Sequence, residues 1–223
     1  MADREVYYSF RDMPFTENHS YGSSYSGSAK MSFSKKEIFH LLIAMGVLTI
    51  AFAFALAPFP PLSHVDSVLF NLPLAFLAIA TAFVCHELAH KYMGQKYGYR
   101  SEFRMYKMGL LLALFLGVAT GIVFAAPGAV RIFGNPNHEE SGKLATAGPL
   151  TNIVIALMAL GVMLISVGFV REIAFFVLFI NAFLAFFNLL PFGPLDGRKV
   201  FRWNKIVWIV LIAISVTLWM KPF

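Results

Sequence analysis

Charge is what this sequence has least of. Only 13% of its 223 residues are Asp, Glu, Lys or Arg, 58% are apolar, and mean hydropathy is +0.69. Soluble domains carry about 25% charged residues, so a chain this poor in charge cannot cover a water-facing surface. Cysteine is nearly missing as well. Cys85 stands alone, which excludes an internal disulfide scaffold. The first thirty residues are polar and show no basic start followed by a short apolar run, so no cleavable leader is expected. Lys and Arg are absent between Pro58 and Asp66. They crowd two other stretches, Lys91, Lys96, Arg100, Arg104 and Lys107 in one, Arg198, Lys199, Arg202 and Lys205 in the other. The net charge of +6 therefore sits beside apolar runs, as cytosolic loops of membrane proteins do, rather than along a stripe for nucleic acid. A lipid bilayer is the expected environment, and no nucleic-acid partner is expected.

Long apolar runs fill the chain from residue 31 onward. Residues 38–59, 67–93, 108–133, 144–170, 173–195 and 206–220 are the candidates, and about 20 apolar residues suffice for a crossing. The run 108–133 differs from the others because Gly109, Gly117, Gly121, Pro127, Gly128 and Gly134 punctuate it. Residues 1–30, rich in Tyr, Ser and Gly, read as a polar tail separate from a membrane-embedded domain over 31–223. The fold class expected is an all-α polytopic membrane protein of about five to six transmembrane helices.

Ionisable side chains inside apolar runs mark function, because lipid penalises them. Cys85-His86-Glu87-Leu88-Ala89-His90 closes the second run. His86 and His90 are one helical turn apart, so both imidazoles leave one face and can grip a single metal ion. Glu87 stands beside the first of them, where a carboxylate can take a proton from a water at the metal. Zinc suits the pair, since imidazole is one of its preferred ligands and it acidifies water. The bland alternative, polar groups reaching out from a helix end, fits Lys91, but His86 and Glu87 lie deeper. Two histidines leave zinc short of ligands. The remaining candidate is Asp196, which follows an apolar run inside a Pro/Gly break, Pro191-Phe192-Gly193-Pro194-Leu195-Asp196-Gly197. That string is also an ordinary turn signal, and the two readings are compatible.

The order of these elements resembles the site-2 protease family of intramembrane zinc metalloproteases. The resemblance rests on the His-Glu-x-x-His run, then Ala147-Gly148-Pro149, then Asn188-Leu189-Leu190-Pro191 with Leu195-Asp196-Gly197. It implies one zinc ion held by His86, His90 and Asp196, and Glu87 as the catalytic residue that activates water. Asn188 would handle substrate, with Gly128, Val130 and Asn152 as further candidate substrate contacts. In that family a re-entrant β-loop with a Gly-x-Gly pattern lies between the catalytic helices. Here the matching stretch is Ala126-Pro127-Gly128-Ala129-Val130, with Ala129 where a glycine is expected. The implied partners are membrane proteins with a single transmembrane helix. The implied location is the plasma membrane of a prokaryote.

Depth adds a constraint that needs no resemblance. Ligands of one zinc ion share a level, since the bonds are about 2 Å long. His86, His90 and Asp196 all precede basic clusters and should lie nearer the cytosol, yet three apolar runs separate them. One run must turn back, and 109–134 is the best candidate for a re-entrant hairpin, with 122–132 offering an edge strand to an unwound substrate. The rival class is a zinc-binding transporter or sensor without proteolysis, which would spread polar residues along several helices.

Overall fold

The computed structural model describes the backbone of residues 5–7 and residues 31–123 and 127–220 in full. Apart from 5–7, the polar tail lies outside the described residues. Ser34 opens the first helix, α1 (Lys35–Ala55), its hydroxyl accepting from the Glu37 N–H at 3.2 Å. Pro58, Pro60 and Pro61 follow and lack the donors to continue it. The second apolar run is one 32-residue helical rod, Val65–Lys96. Within it α2 (Val65–Ala78) passes through a π-helical turn (Ile79–Val84) into α3 (Cys85–Lys96). The wide turn changes the hydrogen-bond partners just before the His-Glu-x-x-His run, and such turns concentrate at functional sites.

The basic stretch after α3, expected to be a loop, instead forms strand β2 (Arg100–Met105). Helix α4 (Lys107–Thr120) then leaves and ends on Gly121, whose φ of +70° suits a glycine cap. The chain returns as β3 (Gly128–Phe133), antiparallel to β2 with Phe103 opposite Val130 and Met105 opposite Gly128. The Tyr106 N–H donates to the Pro127 carbonyl at 2.9 Å, so the excursion begins and ends at the same place. The run therefore leaves β2 and comes back to it, with a helix as its outgoing limb rather than a strand. The short strand β1 (Glu5–Tyr7) pairs with the other edge of β3, Tyr7 opposite Arg131, giving the order β1-β3-β2.

A capping box of Asn137 and Glu140 starts α5 (His138–Ile165), with Glu139 and Glu140 in its first turn. Helix α6 (Gly168–Asn188) follows, then α7 (Asp196–Trp203) and α8 (Lys205–Met220). One apolar core joins α5, α6 and α8 around Leu178 and Met163; a second joins α1, α4, the π turn and the sheet around Phe103 and Leu144.

Among the described residues, four helices are long and apolar enough to cross a membrane, Lys35–Ala55, Val65–Lys96, His138–Ile165 and Gly168–Asn188, with α4 and α8 as shorter apolar helices. Large apolar side chains such as Phe70, Phe169 and Ile165 point outward, while Glu37, Glu87, Lys91, Asn152 and Asn181 are buried. That inversion is what a lipid solvent selects. The protein is a mostly helical polytopic membrane protein.

Candidate metal centre

Three side chains from two helices converge on one point. His86 and His90 project from the same face of α3, and Asp196 meets them from the start of α7. The His86 and His90 Nε2 atoms are 3.1 Å apart; Asp196 Oδ2 is 3.0 Å from His90 Nε2 and 3.3 Å from His86 Nε2. All three residues are buried. Zinc–ligand bonds of roughly 2.0–2.1 Å at tetrahedral angles separate ligand atoms by about 3.3 Å, so the spacing fits one ion.

The hydrogen bonds behind the rings leave the Nε2 lone pairs facing inward. His90 Nδ1 donates to the Leu144 carbonyl at 2.8 Å, and His86 Nδ1 donates to Asn152 Oδ1 at 2.6 Å. The Asn152 amide is oriented in turn, because its Nδ2 donates to the Ala82 carbonyl (2.9 Å) and to Asn181 Oδ1 (3.0 Å). Ala82 lies in the π turn. These partners place the proton of each neutral imidazole on Nδ1 and leave Nε2 as the ligand atom, the tautomer a metal needs. Two bare nitrogens 3.1 Å apart repel unless a cation sits between them. Asp196 Oδ1 is buried without a hydrogen-bond partner, a further sign of a missing positive charge. Gly148 of α5 completes the fit: a Cβ there would come within 2.5 Å of both Nε2 atoms. Only glycine leaves that space open, which gives the Ala147-Gly148-Pro149 string a physical meaning.

Glu87 approaches the same cleft from the sheet side. Its Oε2 accepts from the backbone N–H of Val130 at 2.9 Å, which ties the carboxylate to the edge of β3. His86, Glu87, His90, Ala129, Val130, Asn188 and Asp196 line one cleft. Asn188 closes α6, where its Nδ2 donates to the Leu184 carbonyl at 3.0 Å.

The expected substrate contacts separate into two groups. Asn188 and Val130 lie on the cleft wall, with Gly128 next in the same strand, backed by the Arg104 carbonyl. Asn152 does not line the cleft; it is fully buried behind His86. Lys91 also differs from expectation. Rather than reaching for water it is 1% exposed, with Nζ donating to Glu37 Oε2 (2.8 Å) and to the Ser101 carbonyl (2.7 Å). Its partner lies 54 residues away, too far for any local pattern to announce.

Several known proteins resemble this chain. A protein of Methanocaldococcus jannaschii named "Putative zinc metalloprotease MJ0611" is 41% identical over 182 residues, covering 80% of this chain and 90% of that protein. The chain belongs to this zinc metalloprotease family. "Putative zinc metalloprotease YwhC" of Bacillus subtilis is 27% identical over 150 residues, 58% of this chain and 68% of its own. "Zinc metalloprotease MJ0392" of M. jannaschii is 30% identical over 132 residues, which is 57% of this chain but 33% of that protein. No family model and no solved structure matches. Zinc, the ion these names carry, agrees with a donor set of two imidazoles and one carboxylate. The zinc metalloprotease family thus supplies the reaction class, and the geometry supplies the residues to test.

Proposed function

We propose that this zinc metalloprotease works inside the membrane as a site-2-type protease, hydrolysing peptide bonds within or near the transmembrane segment of single-span membrane proteins. The observation that carries this reading is the placing of the metal triad. His86 and His90 belong to a helical rod long and apolar enough to cross a bilayer, and Asp196 follows another such helix. The triad is buried, and the helices that lead to it expose large apolar side chains such as Phe70, Phe76 and Phe169.

His86 Nε2, His90 Nε2 and Asp196 Oδ2 would hold the ion. When bound, zinc polarises the scissile carbonyl and acidifies the attacking water. Glu87 takes the proton from that water and passes it to the leaving amine nitrogen. The Val130 N–H orients the Glu87 carboxylate for both transfers. An amide inside a helix is shielded by its own hydrogen bonds, so the substrate must unwind. β3 runs beside the cleft, with Ala129 and Val130 on its wall, and an extended substrate segment would lie along it. Asn188 binds the substrate backbone or the developing oxyanion. Basic residues after both parts of the site, Lys96 and Arg100 in one and Arg198, Lys199 and Arg202 in the other, favour a cytosolic level in a prokaryotic plasma membrane.

The test is cleavage of a single-span reporter by the purified protein in lipid vesicles. Wild type should cut within or beside the span, a zinc chelator should stop it, and Glu87→Gln should be inactive while retaining zinc. Cleavage of soluble casein with no cleavage of the spanning reporter would reject the intramembrane reading.

A further inference from the structure

The buried pair Glu37–Lys91 has no part in the chemistry above, yet it sits one helical turn from Glu87. Apolar residues of similar volume commonly replace a buried ion pair without loss of stability, so stability alone does not explain it. Its contacts suggest another use. The Phe103 N–H donates to Glu37 Oε1 at 2.9 Å, and the Ser101 carbonyl accepts from Lys91 Nζ. These are the donor and acceptor that the outer edge of β2 would offer to a further strand. The ion pair takes that strand's place.

Phe103 is also the register partner of Val130. Both N–H groups bond outside the ladder, which makes this a non-hydrogen-bonded antiparallel pair, the type whose N–H groups point outward in opposite directions. One meets Glu37 and the other meets Glu87, both at 2.9 Å. Helix α3 lies against both strands, bearing Glu87 toward the β3 edge and Lys91 toward the β2 edge. Gly94 permits the close approach, since a Cβ there would lie 2.2 Å from Ser101 Oγ. Phe103 packs edge-on against Phe83 of the π turn at 5.7 Å, which anchors the same strand from its face.

We propose that Glu37 and Lys91 are positioning residues for proton transfer: by capping the outer edge of β2 they hold the Val130 N–H where it orients the Glu87 carboxylate. This rests on the reading of Glu87 as the proton-transfer group.

Two double variants of the full chain separate capping from charge. Glu37→Gln/Lys91→Gln removes both charges and keeps an acceptor for Phe103 and a donor for Ser101. Glu37→Leu/Lys91→Met removes the hydrogen bonds as well. With the spanning reporter, the polar pair should keep most of kcat. The apolar pair should lose about 100-fold in kcat, the scale of an ångström-sized misplacement, with KM and zinc affinity by chelator competition unchanged. In metal-free protein, amide hydrogen exchange over 128–133 should accelerate in the apolar pair alone. Wild-type kcat in the apolar pair, equal losses in both pairs, unchanged exchange, or a kcat loss that tracks zinc affinity would each overturn the proposal. Should the apolar pair fail to fold, Glu37→Gln/Lys91→Met, which lacks only the donor for Ser101, is judged by the same criteria. A fully active Glu87→Gln would instead reject the proton-transfer role, while exchange and zinc affinity still judge the capping.

Discussion

Helix α3 has two working sides, and they are secured by different means. Toward α5, α6 and α7, His86 and His90 are held through side chains, in a chain running from His86 to Asn152, Asn181 and Thr81, with Asn181 Nδ2 donating to Thr81 Oγ1 at 3.2 Å. Toward the sheet, Glu87 and Lys91 meet backbone groups of two strands. The first arrangement fixes a tautomer and an angle, which a metal requires. The second fixes the position of a carboxylate relative to a strand, which matters to whatever lies along that strand. Damage on one side should therefore read out as metal, damage on the other as turnover.

The largest effect should come from the sheet side. Glu87→Gln should reduce cleavage by about 10²–10⁴-fold or more with zinc content unchanged by metal analysis; loss of zinc would break the division between the two sides. Next, Asp196→Ala should leave the purified protein with little zinc and no activity, measured together, and full zinc occupancy would remove Asp196 from the coordination shell. Gly148→Val belongs to the same side. Its side chain would enter the space between the imidazoles, so zinc should be lost while the fold persists by circular dichroism.

A smaller change tests the support behind the metal. Asn152→Leu should lower zinc affinity by about 10–100-fold, the usual consequence of losing a group that orients a metal-binding histidine, and KM for the reporter should hold. A raised KM with normal zinc affinity would return Asn152 to the substrate-contact role expected from the sequence.

The smallest effect concerns Glu102 on β2, which bonds Arg100 at 2.8 Å and also pairs with Arg104. Burial alone would raise this carboxyl, but the hydrogen bond from Arg100 and the charges of Arg104, Arg100 and Lys91 outweigh it and hold it below the usual carboxylate range. A group lowered in this way stabilises the fold above its unfolded-state value, and that stability is lost as pH falls through the lowered value. Glu102→Gln should thus cost up to about 1 kcal/mol at neutral pH, and the difference from wild type should vanish in acid, by thermal melting in detergent. A difference that is constant with pH would mean that the carboxylate's charge is not what matters.

What could be read in advance follows a simple division. Apolar runs as long as a bilayer is thick announce helices where no glycines break them, and residues 38–59 and 173–195 became α1 and α6 with ends shifted by three to seven residues. Two histidines four apart must share a helical face. β2 escaped because Arg100-Ser101-Glu102-Phe103-Arg104-Met105 reads as a polar loop; its strand character comes from pairing with β3 and from the Glu37–Lys91 pair. Asn152 was expected at the substrate, and its place behind His86 escaped for a related reason. An asparagine beside Ala147-Gly148-Pro149 has no local sign that its amide lies under a histidine from another helix.

By itself, then, the sequence determined the solvent this protein lives in, the spans it makes there, and the side chains able to hold an ion, because composition and helical period act within one segment. The tertiary structure alone decided which backbone groups face those side chains, since a hydrogen bond such as Val130 to Glu87 or Phe103 to Glu37 joins residues 43 and 66 positions apart. Contacts at that separation depend on how the segments pack, and packing is a property of the whole molecule.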